Sequence, residues 1–149
     1  MLPVADDGSK RPLLAQWPTR ASTDPSTIIA WWERWPSANV GVLTGVRSKM
    51  WVVDIDPRNG GHDSWDALLF EHGPVETQTS LTGGGGYHLF FAWAEDAPTR
   101  GKQLAPGIDV KTDGGYVIMP PSTHQSGGSY RWHLELEPER APQWLSAMA

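Results

Sequence analysis

The chain has 149 residues, a length that suits one compact domain and buries about two thirds of the surface of its unfolded chain. Its 12 Lys and Arg against 17 Asp and Glu give a net charge of −5, which disfavours a clamp that holds nucleic acid by bulk charge and leaves room only for a local basic patch. The absence of Cys excludes disulfides, thiolate zinc sites and a cysteine nucleophile, so metal chemistry must rest on oxygen or imidazole ligands.

Met1 to Lys10 holds no apolar run of signal-peptide length, and the longest apolar stretch, Leu89 to Ala94, is too short to span a bilayer; a cytoplasmic protein without a membrane partner is expected. Residues 1–23 show no periodicity and read as an irregular lead-in carrying Lys10, Arg11 and Pro12. Asp24 then stands where an N-cap belongs and Pro25 at the first helical position, and Ile28, Ile29, Trp31, Trp32 and Trp35 recur at helical spacing. Val40 to Thr44 predicts a short strand, and Met50 to Ile55 a buried one around Trp51, Val52 and Val53. A second helix is expected from an Asp63 cap, burying Trp65, Leu68 and Leu69 and stopping at Gly73-Pro74. Thr77 to Leu81 and Tyr87 to Trp93 flank Gly83 to Gly86 as a hairpin, and Ile108 to Lys111 and Tyr116 to Met119 flank Asp113-Gly114 as another. Tyr130 to Leu134 adds a strand, and Pro142 to Met148 closes the chain as a helix with Trp144, Leu145 and Met148 on one side. Helices interleaved with strands and later hairpins imply an α+β architecture in one domain, residues 1–149, and most of the nine Trp belong to its core.

The chemistry concentrates in four places. Trp51-Val-Val-Asp54-Ile-Asp56 puts both aspartates on one strand face, about 6.6 Å apart in rise, while Ile55 turns to the core. Carboxylate oxygens suit Mg²⁺ or Mn²⁺, although the same pattern also describes a solvated strand end. Asp109, between Ile108 and Val110, carries a charge that needs a cation or donor, and Lys111 shares its face; the two make either a simple ion pair or, with Asp54 and Asp56, the acidic set and phosphate contact of a metal site. Gly86 and His88 share a face, so that Gly86 leaves room for a polyphosphate and His88 can donate to it, unless His88 is a core histidine satisfied by a backbone carbonyl. Pro120-Pro-Ser122-Thr-His124 brings two hydroxyls and an imidazole into one loop that can bind phosphate or ribose or simply cap itself.

In order along the chain, Lys10-Arg-Pro12, Asn39-Val-Gly-Val-Leu-Thr-Gly45, Val53-Asp-Ile-Asp56, Gly-Gly-Tyr87-His88, Gly107-Ile-Asp109-Val-Lys, Gly114-Gly-Tyr-Val and Pro120-Pro-Ser-Thr-His124 resemble the bifunctional DNA primase/polymerase (prim-pol) N-terminal domain of the archaeo-eukaryotic primase superfamily. The resemblance runs from about residue 10 to Trp132. It implies an α/β unit joined to an RRM-like mixed sheet with the active site between them. It also implies catalytic and metal-binding Asp54, Asp56 and Asp109, two Mg²⁺ or Mn²⁺ ions, and nucleotide contacts from His88, Gly86, Lys111, Ser122 and His124. The implied activity is template-dependent nucleotidyl transfer of phage or plasmid type, on a DNA template and primer with dNTP or NTP, in the company of a replicative helicase. Two departures stand out: only nine residues precede Lys10, so the usual N-terminal helix and strand are expected to be missing or rebuilt, and Gly86 replaces a frequent serine. A D-x-D phosphoryl or glycosyl transferase, and a non-catalytic single-strand nucleic-acid binding module whose exposed Trp residues stack bases, are the competing expectations.

Overall fold

Short apolar runs punctuated by glycine and proline break the chain into many brief elements. The computed structural model, which describes residues 1–149, arranges them as β1 (Leu2–Val4), α1 (Trp17–Arg20), α2 (Pro25–Arg34), β2 (Asn39–Leu43), β3 (Met50–Ile55), a 3-10 turn (Pro57–Asn59), α3 (Gly61–His72), β4 (Thr79–Leu81), β5 (Tyr87–Ala92), β6 (Gln103–Ala105), β7 (Ile108–Lys111), β8 (Tyr116–Met119), β9 (Arg131–Leu134) and α4 (Gln143–Met148). The strands form a three-stranded sheet, β1-β2-β8, and a six-stranded sheet, β6-β7-β3-β5-β4-β9. This is an α+β fold. Every strand ladder is antiparallel, and the mixed character expected of the sheet comes down to one parallel bridge between Phe91 and Glu139.

Alternation along β3 divides the large sheet into two unlike faces. Trp51, Val53 and Ile55 turn to a core shared with Leu89, Phe91, Ile108 and Val110, which Trp65 of α3 and Leu145 of α4 cover. Val52 turns the other way and meets Phe90 and Val117 of β8, so the second face of the large sheet packs on the small one. The far face of the small sheet carries Leu2, Val4, Leu43 and Ile118 against Trp31 of α2. Asp24 caps α2 as expected, accepting from the Thr27 amide at 2.8 Å. None of the nine tryptophans is exposed.

Four expectations change. Residues 1–23 are not irregular throughout: Leu2 and Val4 are fully buried in edge strand β1, where Pro3 is tolerated because an edge strand can spare an amide donor. The cap of α3 is Gly60, not Asp63, because the turn out of Asp56 needs the left-handed conformation that Gly60 adopts at φ 81; Asp63 lies in the first turn, where the helix dipole favours it. Strand β6 had no recognisable pattern. Most consequentially, β7 and β8 are not a hairpin. Strand β7 stays beside β3 while β8 crosses to β2.

The link between them is anchored in both sheets, which outweighs the local Asp113-Gly114 turn signal. The Thr44 hydroxyl donates to the Thr112 carbonyl at 2.6 Å and the Thr44 amide to the Gly115 carbonyl at 3.1 Å. The Val46 amide donates to the Asp113 carboxylate at 2.8 Å, and the buried Thr112 hydroxyl donates to the Pro98 carbonyl. Thr112→Val keeps the side-chain shape and leaves the Pro98 carbonyl without that donor, so urea unfolding should show a loss of about 1–3 kcal/mol. Ile29→Ala, at an exposed position, serves as the neutral control.

Candidate functional site

Residues directly opposite in an antiparallel ladder present their side chains on the same face. Asp54 on β3 stands opposite His88 on β5 and opposite Asp109 on β7, so one row across three neighbouring strands reads His88, Asp54, Asp109. The row lies on the face turned to the small sheet. His88 Nε2 is 3.4 Å from Asp54 Oδ1, and Lys111 Nζ is 2.9 Å from Asp109 Oδ2 and 3.6 Å from Asp54 Oδ2. An ammonium group therefore sits between two carboxylates that would otherwise repel each other.

Asp56 lies just past the end of β3 and is fully engaged by the turn that follows. Its Oδ1 accepts from the Arg58 amide and Nε, both at 3.0 Å, and its Oδ2 accepts from Arg58 Nη2 at 2.9 Å and Asn59 Nδ2 at 3.1 Å. With Arg58 holding Asp56 and Lys111 holding Asp109, no three His, Asp or Glu side chains converge on one point. The donor set nevertheless fits a hard divalent cation in kind: three neighbouring carboxylates, two of them already sharing a cationic group.

The row opens into a cleft of about 350 Å³ between the sheets, lined by Lys10, Asp54, His88, Lys111, Tyr130 and the Gly114–Ile118 segment. A smaller recess of about 60 Å³ shares Lys10, Asp54, His88 and Tyr130 and adds Asp56, Arg58, Thr82, Gly84 and His124. The fold thus brings together Asp54, Asp56, Lys111, His88 and His124 around connected space, while Asp109 stands beside Asp54 and Lys111 but outside the lining of both cavities. Gly86 and Ser122 line neither. A Cβ on Gly86 would lie 2.1 Å from the Ile55 carbonyl, so the missing side chain makes room for the backbone of β3 and not for a ligand. Ser122 is buried, and its hydroxyl accepts from the Val40 amide at 2.8 Å, tying the loop to β2.

A family model described as bifunctional DNA primase/polymerase, N-terminal, matches residues 1–144. The chain belongs to that family. No curated protein matches it. As a primase/polymerase domain it has a nucleotidyl-transfer function of the primase/polymerase type, which implies binding of DNA and nucleotide. No helix is long and apolar enough to cross a membrane.

Three residues of the primase/polymerase domain's cleft carry no role in the sequence argument. Lys10, at the left-handed φ of 56, is held there by a hydrogen bond from the Tyr116 hydroxyl to its carbonyl, which aims the chain into the cleft. Its signal was the Lys10-Arg11-Pro12 triplet. Arg58 lies two residues past the D-x-D, after Pro57, and its signal was that short spacing from Asp56. Tyr130, whose phenol is pushed up to about 12 by burial and the Asp54 charge, stays protonated and able to donate. It left no local signal.

Charge balance sets the protonation of the site. Burial opposes ionisation of Asp54, but contact with His88 and the charges of Lys111 and Lys10 outweigh it and hold its carboxyl below the ordinary 3.8. Burial likewise opposes the Lys111 charge, and Asp109 and Asp54 outweigh it, raising its pKa. Hydrogen bonds from Arg58 hold the Asp56 carboxyl down against some desolvation. Burial, followed by the Lys10 and Arg58 charges, lowers His124.

A depressed carboxyl pKa contributes stability that is present above the unfolded value and lost as the pH falls through the folded one. Asp54→Asn should therefore be less stable than wild type at neutral pH, with the gap in urea midpoint narrowing below about pH 4. Gly86→Ala, whose new methyl would meet the backbone of β3, should cost at least the upper end of about 1–3 kcal/mol in the same assay.

Proposed function

We propose that this cleft performs template-directed nucleotidyl transfer, extending or starting a strand on DNA from dNTP or NTP, in the manner of primase/polymerases of phage and plasmid replication proteins. The observation that carries the proposal is the in-register row of His88, Asp54 and Asp109, faced by Lys111 and Lys10 and opening into space between two sheets. Asp54, Asp56 and Asp109 are the residues that would hold Mg²⁺ or Mn²⁺. When bound, a pair of such ions supplies activation of the primer 3′-hydroxyl and neutralisation of the triphosphate.

The chain's own groups do the rest. Lys111 neutralises Asp54 and Asp109 in the free site, and its ammonium group is placed to turn to a phosphate oxygen once those carboxylates have other partners. His88 Nε2 faces the cleft wall and donates to phosphate. Lys10, Arg58 and His124 line the small recess, whose size and positive groups suit a phosphate. A DNA template and primer, a replicative helicase as partner and a cytoplasmic setting belong to the same proposal. The single-strand binding alternative relied on exposed tryptophans to stack bases, and it is disfavoured because three of the nine are buried, the other six are half-buried and none is exposed. The family match weighs against a sugar transferase.

Primer extension on a defined template with Mn²⁺ and each nucleotide type tests the proposal. Asp54→Asn and Asp109→Asn should each lower incorporation by about 100-fold or more, because the groups they remove act on charge that develops in the transition state. His88→Ala should chiefly raise the nucleotide KM, by about 10- to 150-fold, with template affinity measured by anisotropy unchanged. Wild-type incorporation by Asp54→Asn, or turnover of a sugar nucleotide in place of a dNTP, would overturn it.

A further inference from the structure

The row of side chains that holds the site continues one strand beyond His88. Ser80 on β4 stands directly opposite His88 on β5, so its hydroxyl and the imidazole share a face. Both residues are buried, Ser80 at 0% and His88 at 6% exposure. Ser80 Oγ and His88 Nδ1 are also the two buried side-chain polar atoms of the chain that lack a hydrogen-bond partner. Two orphaned polar atoms on facing residues at the edge of a reactive row are unlike the rest of this interior, where buried hydroxyls such as those of Thr44, Thr77 and Thr112 all find partners. The nearby rings of Phe90, 6.2 Å from the imidazole and edge-on, and Tyr130, at 6.0 Å, confine the imidazole within an aromatic setting.

The chemistry of the ring decides what Nδ1 needs. Its Nε2 faces the Asp54 carboxylate at 3.4 Å, and an ionised carboxylate can only accept, so Nε2 carries the hydrogen. In the neutral ring Nδ1 then keeps a lone pair and requires a donor. A serine hydroxyl rotates to donate, and Ser80 is the residue opposite.

We propose that Ser80 is the positioning residue of His88: its hydroxyl donates to Nδ1, after rotation about its own χ1 or across one enclosed water, and thereby fixes the tautomer that presents Nε2–H to the cleft. Asp54 accepts that hydrogen in the free site, and a phosphate oxygen takes it over when nucleotide enters. The second half rests on the phosphate-binding role given to His88 under the proposed function; the first half does not. Ser80 touches neither substrate nor carboxylate and acts only through the ring.

Ser80→Thr and Ser80→Val test it as a pair, since the two side chains have the same shape and differ in the hydroxyl; Ser80→Ala removes the hydroxyl without adding volume should the larger residues disturb the sheet. The imidazole ¹⁵N–¹H long-range spectrum of nucleotide-free protein at pH 8, assigned through His88→Ala, reads the tautomer without any activity. Wild type and Ser80→Thr are expected to show a single Nε2–H form, and Ser80→Val and Ser80→Ala a mixture. In extension assays the variants lacking the hydroxyl should raise the nucleotide KM by about 3- to 10-fold, with kcat and primer-template affinity unchanged. A wild-type imidazole spectrum in Ser80→Ala, or identical spectra for the Thr and Val variants, would overturn the arrangement. A changed spectrum with an unchanged KM would overturn its link to nucleotide. If wild type itself extends no primer, the functional proposal fails while the spectra still decide the Ser80 contact.

Discussion

The structure depends above all on β3 being paired on both sides in register, with β5 along one edge and β7 along the other. Alternate residues of that one strand serve two purposes. Trp51, Val53 and Ile55 are almost wholly buried and hold α3 and α4 on the sheet. Val52 and Asp54 face the small sheet, one packing against it and one lining the cleft. A slip of one residue in either ladder would put a carboxylate into the apolar core and an isoleucine into the cleft, so the same hydrophobic burial that stabilises the fold also sets the position of the site.

The cost of gathering acidic groups on one wall is met by cations supplied from the same elements. Lys111 comes from the strand that carries Asp109, two residues on and therefore on its face, and reaches Asp54 as well. Arg58 comes from the turn that Asp56 itself caps, so the carboxylate that organises the turn is also the one the turn neutralises. Paired in this way, Asp54 and Asp56 are held ionised in a partly buried setting, where an unpaired charge would protonate or disrupt packing.

The second sheet supplies what the first cannot. Residues 114–118 close the cleft from the β8 side, and Lys10 enters from the segment after β1, fixed by Tyr116 of β8. A local signal argued for Asp113-Gly114 as a hairpin turn, but hydrogen bonds from Thr44 and Val46 draw the turn toward β2 instead. Without that crossing the acidic face would lie open to solvent. The cleft is therefore a product of chain routing between sheets, with the residues of the turn serving as anchors.

Much of this was legible in the sequence, because strand alternation and capping act over a few residues. The β3 run, the Asp24 cap and the β4–β5 hairpin all follow from local sterics and period-two patterning, whereas Asp56, expected on the strand face of Asp54, lies past the strand end and caps the turn that follows. Motif order identified the acidic residues and His88 as the ones to watch. What local pattern could not convey was partnership across distance. That Gly86 makes room for the Ile55 carbonyl, that Ser122 serves the Val40 amide, that Lys10 and Tyr130 line the cleft, and that β8 leaves β7 for β2 are outcomes of contacts between segments far apart in the chain. The sequence by itself determined which side chains carry charge and which face of each strand they occupy. Only the tertiary structure decided which faces meet, because that choice is made by the summed burial of two sheets and four helices and not by any residue's own preference.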